Sequence, residues 1–214
     1  MGKRKPHKQA PTPEEAARAV FLDFEGRKKE APSFVGAVWD GPRTIHLEQV
    51  VLDERLLSAA KAKGLCRAEL SSYLHDLSSW IRGEERVIVA WSERELEVFR
   101  EFADAADLRV LEKAYRNGIR LAKAYRRRQP PGSAPDQNSL AVWMDHCGYR
   151  VPNGQGTGLV AAAILDVRDG LERHRGYDEL TPVMKGKWTR ALGHNHHDCL
   201  GMRHVVRRMT GLDD

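Results

Sequence analysis

The chain has 214 residues, 41% of them hydrophobic and 30% charged, with 35 Lys and Arg against 30 Asp and Glu for a formal net charge of +5. That composition describes one soluble domain with enough residues for its own core, and no run approaches the ~18 apolar residues of a membrane-spanning helix. The positive balance favours a polyanionic partner, nucleic acid first. The basic N-terminus has no apolar stretch behind it, so no secretory signal is expected. Cys66, Cys147 and Cys199, widely spaced and odd in number, read as reduced thiols of a cytoplasmic protein.

In chain order, residues 1–15 are rich in Lys, Arg and Pro with almost nothing apolar. They are expected to form a disordered basic tail ahead of a single domain over residues 16–214. Three strand-like runs follow, Ala19–Phe24, Ser33–Trp39 and Arg43–Leu52, and their short connections predict an antiparallel meander. Asp23 and Glu25 stand two apart on the first strand. Both point to one face, about 7 Å apart, while Leu22 and Phe24 point to the other. Like charges that close repel, so water or a hard cation with oxygen ligands must lie over them. A solvated acidic edge and a divalent-ion site both satisfy this stretch.

Residues 56–82 read as helix, broken near Gly64, with Leu70, Tyr73, Leu74, Leu77, Trp80 and Ile81 recurring at helical spacing. Arg86–Trp91 is a continuous apolar run, the pattern of a strand buried on both faces. Ser92 and Glu95 then form a candidate capping box for a helix over Glu93–Ala103. Residues 108–128 are expected as mostly helical and end in Arg120, Lys123, Arg126, Arg127 and Arg128, with Tyr115 and Tyr125 interleaved. That run is either a solvated helix face or a surface that tracks phosphates. After a Pro/Gly/Ser loop come a short helix over Asn138–Cys147, a loop with Gly154, Gly156 and Gly158, and a helix over Leu159–Arg173. The loop glycines follow no strand and precede no Gly-Lys-Ser/Thr, so they take no phosphate role. A final helix begins near Met184, pauses around Gly193 and continues from His194 to Met209.

That helix carries His194-Asn195-His196-His197-Asp198-Cys199. His194 and Asp198, four apart, share one helix face. The histidines do not match zinc-ligand spacing, and there is no second Cys/His cluster to complete a tetrahedral site. Taken singly, Asp198 serves equally as a partner for Arg203, Glu95 as a capping acid and His194 as a hydrogen-bonding side chain.

Together, Phe21-Leu22-Asp23-Phe24-Glu25-Gly26, the stretch from Val87 to Phe99, and His194-Asn195-His196-His197-Asp198-Cys199 resemble the three motifs of DEDD-type 3′–5′ exonucleases. These belong to the ribonuclease H-like superfamily, and the third motif resembles the bacterial branch that reads Tyr-Asn-x-x-Asp-Cys. The chain departs from the pattern in three places. Glu95 stands where most members have Asp, with Glu93 as an alternative acid. Arg94 replaces an aromatic residue, and His194 takes the place of the tyrosine. The resemblance implies an α/β fold with a ribonuclease H-like five-stranded mixed sheet, three antiparallel strands first, flanked by helices. Arg109-Val110-Leu111 is the only candidate for the fifth strand, in a region that reads as helix.

The resemblance also implies hydrolysis of DNA or RNA with two Mg²⁺ or Mn²⁺ ions. Asp23 would bridge both ions, Glu25 and Asp198 would bind one and Glu95 the other. His194, with an ordinary pKa near 6.5, would orient or deprotonate the attacking water. Arg120, Lys123, Arg126, Arg127 and Arg128 would hold the nucleic acid. The other function compatible with these departures is a catalytically degenerate nucleic-acid-binding module of the same fold.

Overall fold

The computed structural model describes residues 9–28, 30–153 and 160–212 of the chain. Six strands form one sheet: β1 (Ala19–Glu25), β2 (Phe34–Asp40), β3 (Ile45–Val51), β4 (Cys66–Arg67), β5 (Val87–Ala90) and β6 (Tyr115–Asn117), in the order β4-β3-β2-β1-β5-β6. The pairs β1–β2 and β2–β3 are antiparallel; β1–β5, β5–β6 and β3–β4 are parallel. This mixed α/β sheet, antiparallel first and parallel after, is flanked by helices and compatible with a ribonuclease H-like arrangement. The helices are α1 (Pro13–Ala17), α2 (Leu57–Lys61), α3 (Leu70–Gly83), α4 (Arg94–Phe102), α5 (Ala105–Ala114), α6 (Gly118–Arg126), α7 (Leu140–His146), α8 (Val160–Arg173) and α9 (Pro182–Thr210). Among the described residues no helix is long and apolar enough to cross a membrane.

Strand periodicity sorts β1 onto two cores. Val20, Leu22 and Phe24 pack with Tyr73, Leu74 and Leu77 of α3, with Leu96 and Phe99 of α4 and with Leu111 of α5. Ala19 and Phe21 face the other way, into a cluster with Trp143 and Met144 of α7 and with Cys199, Met202, Val205 and Val206 of α9. A third cluster joins Phe34 of β2 and Val51 of β3 to Ile164 and Val167 of α8 and to Trp188 and Ala191 of α9. A strand covered on both faces needs apolar side chains on both, which is why β1 reads Ala-Val-Phe-Leu before its first acid. Asp23 and Glu25 share the parity of Phe21 and therefore the α9 face.

Four expectations are corrected. The sheet has six strands, not five; the added one is β4, formed after Gly64, at φ +66°, turns the chain out of α2 and into parallel pairing with the end of β3. The strand beyond β5 is Tyr115–Asn117, inside the stretch expected to be helical, while Arg109-Val110-Leu111 lies in α5. Three residues are too few to show a two-residue period. Asn117 marks the break, since its side chain accepts the Arg120 N–H at 3.1 Å and caps α6.

Within the expected tail, residues 9–15 are structured and lead into α1. Thr12 and Glu15 form a capping box on α1, and the Glu15 carboxylate takes both oxygens to Arg116 Nε at 3.0 Å. Residues 1–8 of the expected tail lie outside the described residues, as do Gly154, Gly156 and Gly158 of the glycine loop. Finally, α9 runs unbroken through Gly193. A helical glycine costs about 1 kcal/mol relative to alanine. Burial of Trp188 and Ala191 on one side and of Cys199, Met202 and Val205 on the other outweighs that cost.

Candidate metal centre

The site forms where β1 and β5 part. Their parallel pairing covers Ala19 to Phe21 only. β5 ends at Ala90, and the chain turns through Trp91 and Ser92 into α4. A crevice therefore opens at the carboxyl ends of the two strands, the place where open α/β sheets bind ligands. Asp23 and Glu25 enter it from β1, Glu95 from the first turn of α4, and His194 and Asp198 from α9.

Glu95 is 4% exposed. Its Oε2 accepts a long hydrogen bond from Ser92 Oγ at 3.4 Å. The expected capping box is altered. Ser92 Oγ accepts the Arg94 N–H at 3.1 Å from one residue before the helix cap, and the Glu95 side chain turns into the crevice. Glu93 is exposed and lies 3.9 Å from Arg120 Nη2, so of the two candidate acids Glu95 is the one facing Asp23. Arg94 points away from the crevice and donates to the carbonyls of Arg27 and Glu30 at 3.2 and 3.0 Å. At the position where the exonucleases it resembles carry an aromatic residue, Arg94 fastens the loop after β1.

On α9, His194 Nε2 lies 3.3 Å from Asp198 Oδ2. Ligand atoms of Glu25, His194 and Asp198 all fall within 4.8 Å of one another. His197 turns to the Tyr149 hydroxyl at 2.8 Å, and Arg203 pairs with Asp40 at 2.8 Å rather than serving Asp198.

Between these residues lies a buried network that sequence reasoning did not assign. Asn195 is 0% exposed. Its Nδ2 donates to the Asp23 carbonyl at 3.0 Å and to Asp23 Oδ2 at 2.9 Å, while its Oδ1 accepts from Gln49 Nε2 at 2.9 Å. Asp23, Gly36 and Gln49 are register partners on three adjacent strands. Gly36 has no side chain, and Asn195 occupies the space this leaves; a Cβ there would collide with Asn195 Oδ1. The Asn-x-x-Asp spacing was visible in sequence, but the glycine opposite Asp23 acquires meaning only from the register.

Electrostatics mark the crevice as unbalanced. Burial, then the Asp198 charge, raises Asp23 to about 7, against the pull of the Asn195 hydrogen bond and of His194. Burial and the neighbouring Asp23 and Asp198 carboxylates push Glu25 well above the usual carboxylate range. Burial and Asp23 raise Glu95 to about 8. Among the described residues no Lys or Arg forms an ion pair with any of the four acids; Arg94, next to Glu95 in sequence, reaches Glu97, and Arg120 reaches Glu93. The donor set is four carboxylates with the His194 imidazole beside them, and hard oxygen ligands fit Mg²⁺ or Mn²⁺ better than a thiolate-seeking metal.

The basic run divides. Arg126 donates to the Gln137 carbonyl and Asn138 Oδ1 and lies over the Trp143 ring, so it fastens the loop before α7. Arg120, Arg127 and Arg128 are exposed, and Lys123 is half-buried. Compared with known proteins, the chain matches no family model, no curated protein and no solved structure. Its chemistry has to be read from these side chains.

Two outcomes follow from this geometry. Asn195→Ala leaves the half-buried Gln49 amide with only its bond to the Leu192 carbonyl and frees Asp23, and is expected to cost about 1–3 kcal/mol by urea denaturation. It should also weaken Mn²⁺ binding in calorimetry. Gly36→Ala, which displaces the same amide without touching any acid, should reproduce both effects; unchanged Mn²⁺ affinity in both variants would refute a role for the network.

The second concerns pH. An unfolded chain releases the protons of Asp and Glu near ~3.9 and ~4.3. Asp23 and Glu95 keep theirs to about 7 and about 8. The native state then binds more protons than the unfolded state across that window, so their stabilising contribution, complete below pH ~4, is lost as pH rises through 7 to 8. The metal-free protein should melt lower at pH 8.5 than at pH 6, and Glu95→Gln should flatten that slope. Mn²⁺ should bind with proton release below about pH 8, read by calorimetry in buffers of different ionisation enthalpy.

Proposed function

We propose that the chain is a metal-dependent 3′–5′ exonuclease of the DEDD type, hydrolysing phosphodiester bonds of DNA or RNA. The observation that carries this reading is that Glu25, His194 and Asp198 offer ligand atoms within 4.8 Å of one another, while the Asp23 and Glu95 carboxylates, from the same and a third segment, lie close enough to perturb that group electrostatically. Two divalent ions bound there would supply the activated water and the stabilisation of developing charge that such hydrolysis needs. Asp23, which interacts with all three other carboxylates, would serve both ions. Glu25 and Asp198 would help hold one and Glu95 the other. His194, 3.3 Å from Asp198, would accept the proton of the attacking water. Arg127, Arg128, Arg120 and Lys123 steer the strand through its phosphates. The free cysteines agree with a reducing, cytoplasmic setting.

Labelled single-stranded DNA and RNA, incubated with Mn²⁺, should shorten from the 3′ end, and Asp23→Asn should abolish the ladder. Intact substrate with tightly bound Mn²⁺ would defeat the reading and leave a binding module. His194→Ala should keep Mn²⁺ affinity near wild type while lowering turnover by roughly 10²–10⁴, and His194→Tyr should recover part of it. His196→Ala is the control on the same helix. For the strand contacts, Arg127→Ala with Arg128→Ala should reduce the salt slope of duplex binding by up to about 0.9 per lost phosphate contact. An unchanged slope would return that end of α6 to a solvated role.

A further inference from the structure

At the opposite end of the sheet from the acids lies a second concavity, about 620 Å³ in volume. It sits at the N-terminal ends of β1 and β5, next to Arg18 and Val87, whereas the carboxylates occupy the C-terminal ends. Asp23 lies five residue steps along the chain from Arg18, or roughly 16 Å. The two sites are thus distinct.

Its walls carry four cations from three different segments: Arg18 at the end of α1, Arg82 in the last turn of α3, and Arg109 and Lys113 on α5. Among the described residues none of these four forms an ion pair. Arg86 and Arg116 also line it, against the acids Glu15 and Glu85, leaving an excess of four positive charges. Part of that excess only serves the fold. Glu84 neutralises Arg86 at 2.6 Å, and the C-termini of α3 and α5, which end here, each contribute about half a negative charge. About two positive charges remain uncompensated. The floor is apolar: Ile81, Val87, Val110 and Ala114. A cationic rim over an apolar floor, in a volume typical of small-ligand pockets, fits a ligand with a phosphate at one end and a flat, weakly polar body at the other.

We propose that this groove binds a nucleotide unit, its phosphate against Arg82, Arg109 and Lys113 and its base or sugar against the Val87–Val110 floor. The unit comes either as a free mononucleotide or as part of a strand whose 3′ end lies elsewhere. The site does not depend on the exonuclease reading, because no residue of the metal centre takes part.

Titration calorimetry on the full chain, with EDTA present so that no divalent ion contributes, tests the proposal. The probes are adenosine 5′-monophosphate, inorganic phosphate and a short single-stranded thymidine oligonucleotide. The variants are Arg82→Gln with Arg109→Gln and Arg82→Glu with Arg109→Glu. Both side chains are exposed, so the fold should persist, which circular dichroism checks. The monophosphate should bind more tightly than phosphate. The Gln pair should weaken it about threefold and the Glu pair about tenfold or more. Asp23→Asn should leave it unchanged, separating this site from the metal centre. If only the oligonucleotide loses affinity in the two pairs, the occupant is a unit of a strand and the site stands. Binding that neither pair weakens, binding lost in Asp23→Asn, phosphate binding as tight as the monophosphate, or no binding of either nucleotide probe would each overturn it.

Discussion

Repulsion among carboxylates that the fold will not let apart is the constraint on which the rest depends. Two unit charges ~5 Å apart at an effective dielectric near 20 repel by about 3 kcal/mol. Several such pairs meet at the end of β1, and the sum is comparable with the whole stability of a domain. The chain tolerates this in two ways. It lets the acids keep protons, seen in the raised values of Asp23 and Glu95, and it brackets them with three apolar clusters whose burial does not depend on their charge. An acidic crevice of this kind is poised to exchange protons for cations, and that exchange is the basis of the proposed chemistry.

The helix α9 is both scaffold and ligand carrier. Its first part packs Trp188 and Ala191 under β2 and β3, and its last part packs Met202, Val205 and Val206 under β1 and β2. Residues 193–198 form the polar interval between these apolar anchors. Both ends of the helix are fixed, so the interval cannot slide along the sheet. Asn195, lying over Gly36, sets the helix height above Asp23 to within hydrogen-bond tolerance.

Positive charge is used more selectively than the net +5 suggests. Arg94, Arg116 and Arg126 are spent on carbonyls and carboxylates that hold loops and helix ends. Exposed cations that form no ion pair among the described residues occur, among other places, at the outer part of α6 and around the groove at the far end of β1. A guanidinium engaged by backbone oxygens offers a phosphate little, so the distribution of partners, not the count of arginines, decides where a polyanion can lie.

The sequence by itself determined the mixed α/β class, the three-strand meander and the buried strand before α4, and it singled out the acids and histidine of the candidate site. These are local signals: two-residue alternation in β1, a helical period in α3, and four-residue spacing between His194 and Asp198. It did not show that Tyr115–Asn117 is a strand, that Gln9–Glu15 is ordered or that α9 continues through Gly193, because each is settled by partners more than a dozen residues away: β5, Arg116 and the two clusters beneath α9. Only the tertiary structure decided that Glu95 and not Glu93 enters the crevice, that Arg126 is committed to a loop, and that Gly36 and Gln49 belong with Asp23 and Asn195. Register and helix rotation fix which side chains meet, and neither is written in any one segment.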